Sequence, residues 1–172
     1  MSTTIILVFV AFAVYLIYNG AAVVLFGVPN SLSDTFYLYK NKKRWMRAFF
    51  PIMMTLMVAL LMPAWLEISE SSSLQFLAFL SAAGILFTGA APAFKGDKME
   101  KGVHSASAIC AAVFALSWVI FVSKVWFVMF VWLAVVVLAA LITKTWKRAT
   151  VYWLETVAFM STFTSIIIYF FK

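Results

Sequence analysis

The sequence predicts an all-α integral membrane protein, a compact bundle of six transmembrane helices. Three observations carry that reading. Hydrophobic residues make up 66% of the 172-residue chain and charged residues 11%, against about 45–50% and about 25% in ordinary soluble domains. The apolar residues gather into six runs, each long enough at 1.5 Å per residue to cross a hydrocarbon core of about 30 Å. None of the runs alternates polar and apolar residues, as barrel strands would. The composition excludes disordered, collagen-like and disulfide-stapled chains. The formal charge of +7 sits in short loops between apolar runs, which excludes a nucleic-acid partner. No stretch remains for a soluble domain, so residues 1–172 read as a single transmembrane domain.

The first span covers about residues 4–27. Met-Ser-Thr-Thr ahead of it carries no Lys or Arg, so it reads as a retained span rather than a signal peptide. Asn19-Gly20 interrupts it. The connection that follows, residues 28–47, is the longest in the chain, and loops of that length are usually folded or functional. Pro29 ends the first helix. Asn30, Ser31, Ser33, Asp34 and Thr35 are side chains that cap helices, which predicts a short surface or re-entrant helix starting at Ser33 or Asp34. The second span covers 48–66, with Pro51 near its start and Pro63 near its end. The third, 74–94, is rich in small residues. Gly84 with Thr88, and Gly89 with Ala93, form small-xxx-small pairs that favour close packing in membranes. Pro92 should end this span early.

The fourth span covers 103–122. His104, Ser107, Ala108, Ala111 and Ala115 share a face of small residues and predict a packing seam. Asp97 and Glu100, just before it, read as ordinary loop charges. Ser123-Lys124 is so tight a joint that it predicts an antiparallel hairpin with the fifth span, 125–143. The sixth span covers 150–171. The nine Met and seven Trp read as filler and interfacial anchors.

Lys40, Lys42, Lys43, Arg44, Arg47, Lys95, Lys98, Lys101, Lys144, Lys147 and Arg148 all fall in odd-numbered loops. That is eleven of the thirteen basic residues, with only Lys124 and Lys172 elsewhere. The positive-inside rule puts those loops in the cytoplasm and both termini outside, in a plasma or bacterial inner membrane. The cluster at residues 40–47 either sets topology as a solvated loop or meets anionic headgroups, at about 1 kcal/mol per charge.

Few polar residues lie within the spans. Glu155 stands about five residues into the sixth, on a stripe with Ala158, Thr162, Ser165 and Tyr169 that reads as an inward face. A carboxylate there needs a partner: a proton, ion or substrate, or else Arg148 or Lys144 nearby. His104, the one histidine, is either a hydrogen-bonded structural residue or a proton relay. Asn19 needs a hydrogen-bond partner as well. The topology brings Asn19, Ser33, Asp34, His104 and Glu155 to one leaflet, which predicts a cytoplasm-facing polar pocket. The one cysteine, Cys110, cannot form an intrachain disulfide, and no Cys/His metal cluster can be built. Neither metal nor cofactor is expected.

The run Pro29-Asn30-Ser31-Leu32-Ser33-Asp34-Thr35, after a first span, resembles the Pro-x-Ile-Ser-Asp-Thr pattern of the Frag1/DRAM/Sfk1 six-span membrane family. The Gly and Pro-Glu that follow in that family are missing. The family's loop is thought to face away from the cytosol, whereas the basic residues here place it inside. The chain is also similar in size and span count to the substrate-binding subunits of vitamin transporters. The intramembrane hydrolases related to alkaline ceramidase use a Ser, an Asp and three His, which a single histidine excludes.

These readings point to a membrane protein that binds or moves a small solute, ion or lipid, with Glu155 as the charge-bearing site and His104 tuning it. Two alternatives remain. One is a lipid-modifying enzyme with Asp34, His104 and Ser31 or Ser33 as catalytic candidates. The other is a structural or assembly subunit that binds no ligand. Expected partners are membrane lipids and a second copy or a membrane partner subunit.

Overall fold

The computed structural model describes residues 2–172, and every regular element among them is helical. The order is α1 (Thr3–Phe26), α2 (Thr35–Lys42), a 3-10 turn (Arg44–Ala48), α3 (Phe49–Ser69), α4 (Phe76–Ala90), α5 (Lys98–Phe121), α6 (Phe127–Ile142) and α7 (Thr150–Phe171). Four helical segments are long and apolar enough to cross a membrane: α1, the 3-10 turn running on into α3, α5 and α7. The other two apolar helices, α4 and α6, have 15 and 16 residues, short of the about 20 that a span needs.

The local chemistry explains the ends. Ser2 caps α1 by accepting the Ile5 N–H at 3.4 Å. Gly27, at φ 74°, terminates it in a conformation that side chains disfavour. As the sequence predicts, a short helix follows Asp34. Pro51 sits in the first turn of α3, where its missing N–H costs nothing. The chain leaves α4 at Ala91, just before Pro92.

Two expectations change. α5 begins at Lys98, five residues ahead of the predicted start, because Asp97 and Glu100 are not idle loop charges. Asp97 Oδ1 accepts the Glu100 N–H at 2.9 Å and caps the helix, while Glu100 Oε1 accepts the Ala93 N–H at 2.8 Å. The pair works much like a capping box. The predicted hairpin of the fourth and fifth spans does not form either. The chain turns at Lys124, at φ 58°, and α6 leaves α5 to pack along α7. Trp132 Nε1 there donates to Thr164 Oγ1 at 2.9 Å.

α4 packs between α3 and α5. A Cβ at Gly84 would lie 2.6 Å from Ala111 N and 2.7 Å from Ser107 O, so the α4 and α5 backbones touch there. Thr88 Oγ1 lies 3.1 Å from Ser107 Oγ along the same seam. A Cβ at Gly89 would meet Met54 Cβ of α3 at 2.9 Å. Trp118 of α5 reaches past α4 to donate to Ser69 Oγ of α3 at 2.7 Å. α1 and α7 meet through Tyr15, whose ring lies 4.9 Å from Phe159 and 5.6 Å from Phe163. The bundle's outer faces are apolar: Val24 is 84% exposed, and Ile17, Phe130, Leu138 and Ile142 are exposed with it. Asn19, Ser81, Thr88, Ser161, Thr162 and Ser165 are buried.

Gly84→Ala must push α4 and α5 apart, because the obstacles are backbone atoms. Overpacking of that kind costs about 1–3 kcal/mol. Gly20 has nothing within 4 Å of its would-be Cβ, so Gly20→Ala should be neutral or slightly stabilising. Thermal unfolding of both variants in one detergent checks this. Equal melting temperatures would sink the contact assigned to Gly84.

Candidate functional site

The connection after α1 is where polar groups gather. Residues 28–34 form a strap laid across the start of α7, and Leu32 at its centre is fully buried. Three hydrogen bonds pin it there. Arg148 Nη2 donates to the Val28 carbonyl at 2.8 Å. The Tyr152 N–H donates to the Asn30 carbonyl at 3.1 Å. The Leu32 N–H donates to Glu155 Oε2 at 2.7 Å. The second bond serves α7 itself: no side chain caps that helix at Ala149, and its first turn has N–H groups with no partner of their own. The strap carbonyl supplies one.

The other side of the strap is held by charge. Asp34 Oδ1 forms an ion pair with Lys95, and Asp34 Oδ2 accepts the Asn30 side-chain amide at 2.7 Å. Tyr37 adds two contacts. Its hydroxyl accepts the Lys95 N–H at 2.7 Å, and its ring faces Lys95 Nζ at 4.7 Å. Tyr18 of α1 bonds to Thr35 at the start of α2. The strap thus joins α7 to the α4–α5 junction.

Beneath Leu32 lies a cavity of about 50 Å³ between α3, α4, α5 and α7. That exceeds the roughly 10–15 Å³ that one water needs, so the space admits a small organic group. Leu61, Trp65, Ile85 and Phe159 make its apolar wall, and Ala108, Ala111, Ala112 and Ala115 make its α5 side. Only Glu155, Thr88 and Thr162 bring oxygen to it. The Thr162 hydroxyl donates to the Ala158 carbonyl of its own helix at 2.9 Å, and the Thr88 hydroxyl lies between the Gly84 carbonyl at 2.8 Å and Ser107 Oγ at 3.1 Å.

The residues singled out from the sequence go to four places. Glu155 lines the cavity and bonds the strap; its partner is the Leu32 amide rather than Arg148 or Lys144. Ser33 and Asp34 belong to the strap, where Ser33 Oγ lies 2.9 Å from Ser31 Oγ and Ser31 Oγ accepts the Asp34 N–H at 3.0 Å. His104 lies at the α4–α5 junction. Its ring stacks on Phe94, with centroids 4.3 Å apart, and its Nδ1 lies 2.9 Å from the Ala91 carbonyl. A carbonyl only accepts, so Nδ1 carries the proton. Asn19 Nδ2 donates to the Tyr15 carbonyl of its own helix at 2.9 Å, and its Oδ1 has no partner. The cavity wall includes neither Asn19 nor His104.

Among the described residues, no serine hydroxyl bonds to the Asp34 carboxylate or to the His104 ring, Ser107 Oγ meeting only the His104 backbone carbonyl at 3.0 Å, and no group of three metal-ligating side chains exists. Leu32, Lys95 and Trp65 are the site residues that the sequence reasoning missed. In the sequence Lys95 stands out only as a topology marker. Leu32 acts through its backbone, which no residue type announces. Comparison with known protein families, curated proteins and solved structures finds no match.

Asp34→Ala strips an acceptor from both Asn30 and Lys95 and should cost about 1–3 kcal/mol of stability. A double-mutant cycle with Lys95→Met should return a favourable coupling of at least about 0.5 kcal/mol. Strict additivity would show that the ion pair does not hold the strap.

Proposed function

We propose that the protein is a six-span integral membrane protein that binds a small apolar or amphiphilic solute in the cavity beneath the strap. The observation that carries this reading is the Glu155 carboxylate, which opens onto an otherwise apolar space. A charge inside a bundle is costly and is seldom kept without a task. The membrane reading draws support from the exposed apolar faces and the buried hydroxyls. α1, α3, α5 and α7 are the long spans in this proposal. α4 and α6 are short spans, which the bilayer meets by local thinning. The basic residues put the strap and the cavity mouth on the cytoplasmic side. Glu155 reads the polar end of the solute, the cavity wall takes its apolar part, and displacement of the strap admits it.

Orientation and binding can be tested apart. In a Cys110→Ser background, Ser71→Cys should react with an impermeant maleimide on intact cells, and Lys42→Cys only after permeabilisation. The reverse pattern would refute the orientation. Native mass spectrometry from mild detergent should show a small molecule retained by the wild type. It should be lost in Glu155→Gln and in Ala112→Leu, which fills the cavity from α5. A protein that is always empty, or that carries only a partner chain, would overturn the binding reading.

A further inference from the structure

Resting on the cavity reading above, we infer that the solute is a small organic cation, a primary ammonium on a short alkyl chain. The charge pattern around the cavity points there. Glu155 Oε2 takes the Leu32 N–H, and among the described residues no Lys, Arg or His nitrogen lies within 4 Å of the carboxylate, the one such pair being Lys95 with Asp34. Arg148, the cation nearest in sequence, forms no ion pair with Glu155 and donates to the Val28 carbonyl. Asp34 nearby has its own cation in Lys95, so it leaves no positive charge over for Glu155. Of the remaining oxygens, Thr162 Oγ1 gives its proton to a carbonyl of its own helix, and Thr88 Oγ1 is engaged with the Gly84 carbonyl and Ser107 Oγ, so neither adds a positive charge.

An anionic solute would meet a carboxylate and acceptors with nothing to balance its charge. A neutral alcohol could donate one proton to Glu155. An ammonium can donate three, and it supplies the positive charge that Glu155 lacks. Trp65 lines the same wall. Its indole Nε1 is buried without a partner, and this single uncharged donor supplies no positive charge to the carboxylate. Aromatic walls also favour cations over anions through the ring quadrupole. The cavity is small, about 50 Å³, which limits the solute to a short alkyl chain.

The test uses the full chain in nanodiscs of zwitterionic lipid, titrated by calorimetry with butylammonium, butan-1-ol and butyrate. Butylammonium should bind at least about tenfold tighter than butan-1-ol, and butyrate weakest of the three. Glu155→Gln should lose about tenfold for butylammonium and little for butan-1-ol. Should Glu155→Gln release the strap and fail to fold, Ala112→Leu keeps the carboxylate and must still abolish butylammonium binding. Equal binding of butylammonium and butan-1-ol would overturn the cation assignment and leave the cavity reading standing. Failure of all three to bind, with no molecule retained in native mass spectrometry, would overturn both.

Discussion

The bond from the Leu32 N–H to the Glu155 carboxylate is the constraint on which the site depends. Both groups would be expensive alone. A buried amide without a partner costs about 1–3 kcal/mol, and an unpaired carboxylate costs more. Together they satisfy each other and fix where the connection after α1 must lie. Leu32 can then fill the top of the bundle, because its own amide is no longer a liability there. Two further bonds follow along α7. Asn30 caps the helix that carries Glu155, and Arg148 ties down Val28 at its entrance. The strap needs α7 to hold it, and α7 needs the strap to complete its first turn.

The second attachment gives that arrangement its reach. Asp34 and Tyr37 hold Lys95, which lies between α4 and α5, while Leu32 holds α7. The strap therefore spans the gap that α3, α4, α5 and α7 leave between them and roofs the cavity. His104 steadies the far anchor without facing the cavity: its ring packs on Phe94, whose neighbour is Lys95. A histidine and a carboxylate that the sequence alone puts together thus do different work, one positioning a loop junction and the other facing open space.

How much of this was legible in the sequence varied with the kind of signal. The sixth run was read as residues 150–171, the bounds α7 has, because a long apolar run flanked by charges leaves little choice. The short helix after Asp34 was legible from the polar run ahead of it, although the Asp34 side chain bonds Asn30 and Lys95 and makes no capping bond to that helix. Asp97 and Glu100 were misread because lysines surround them. Yet Asp97-Lys98-Met99-Glu100 has acidic residues at the spacing of a cap, and that pattern could have moved the start of α5. The hairpin was misread because a short joint fixes nearness of two helix ends but not the direction in which the second leaves. Lys124 sets that direction through a backbone conformation that a lysine does not advertise. The Glu155 partner was out of reach altogether. It is an amide 123 residues away, and every residue but proline carries one.

The cavity itself follows from the small residues of α5, by an argument that joins packing to chemistry. Small side chains usually let helices close up until no void remains. Here the approach of α4 to α5 stops where the Gly84 backbone meets Ala111 and Ser107. The helices cannot come nearer at that point. Ala108, Ala112 and Ala115 are one turn or less away on the same helix, and they face a space that α4 is already too constrained to fill. Leu61 and Trp65 of α3 are held back in turn, since Ser69 at the C-terminal end of their helix is bound to Trp118 of α5. A void bounded by rigid contacts on three sides persists. Its fourth side is α7, which brings the one ionisable group. The same close packing that makes this bundle stable therefore leaves the space that gives Glu155 something to face.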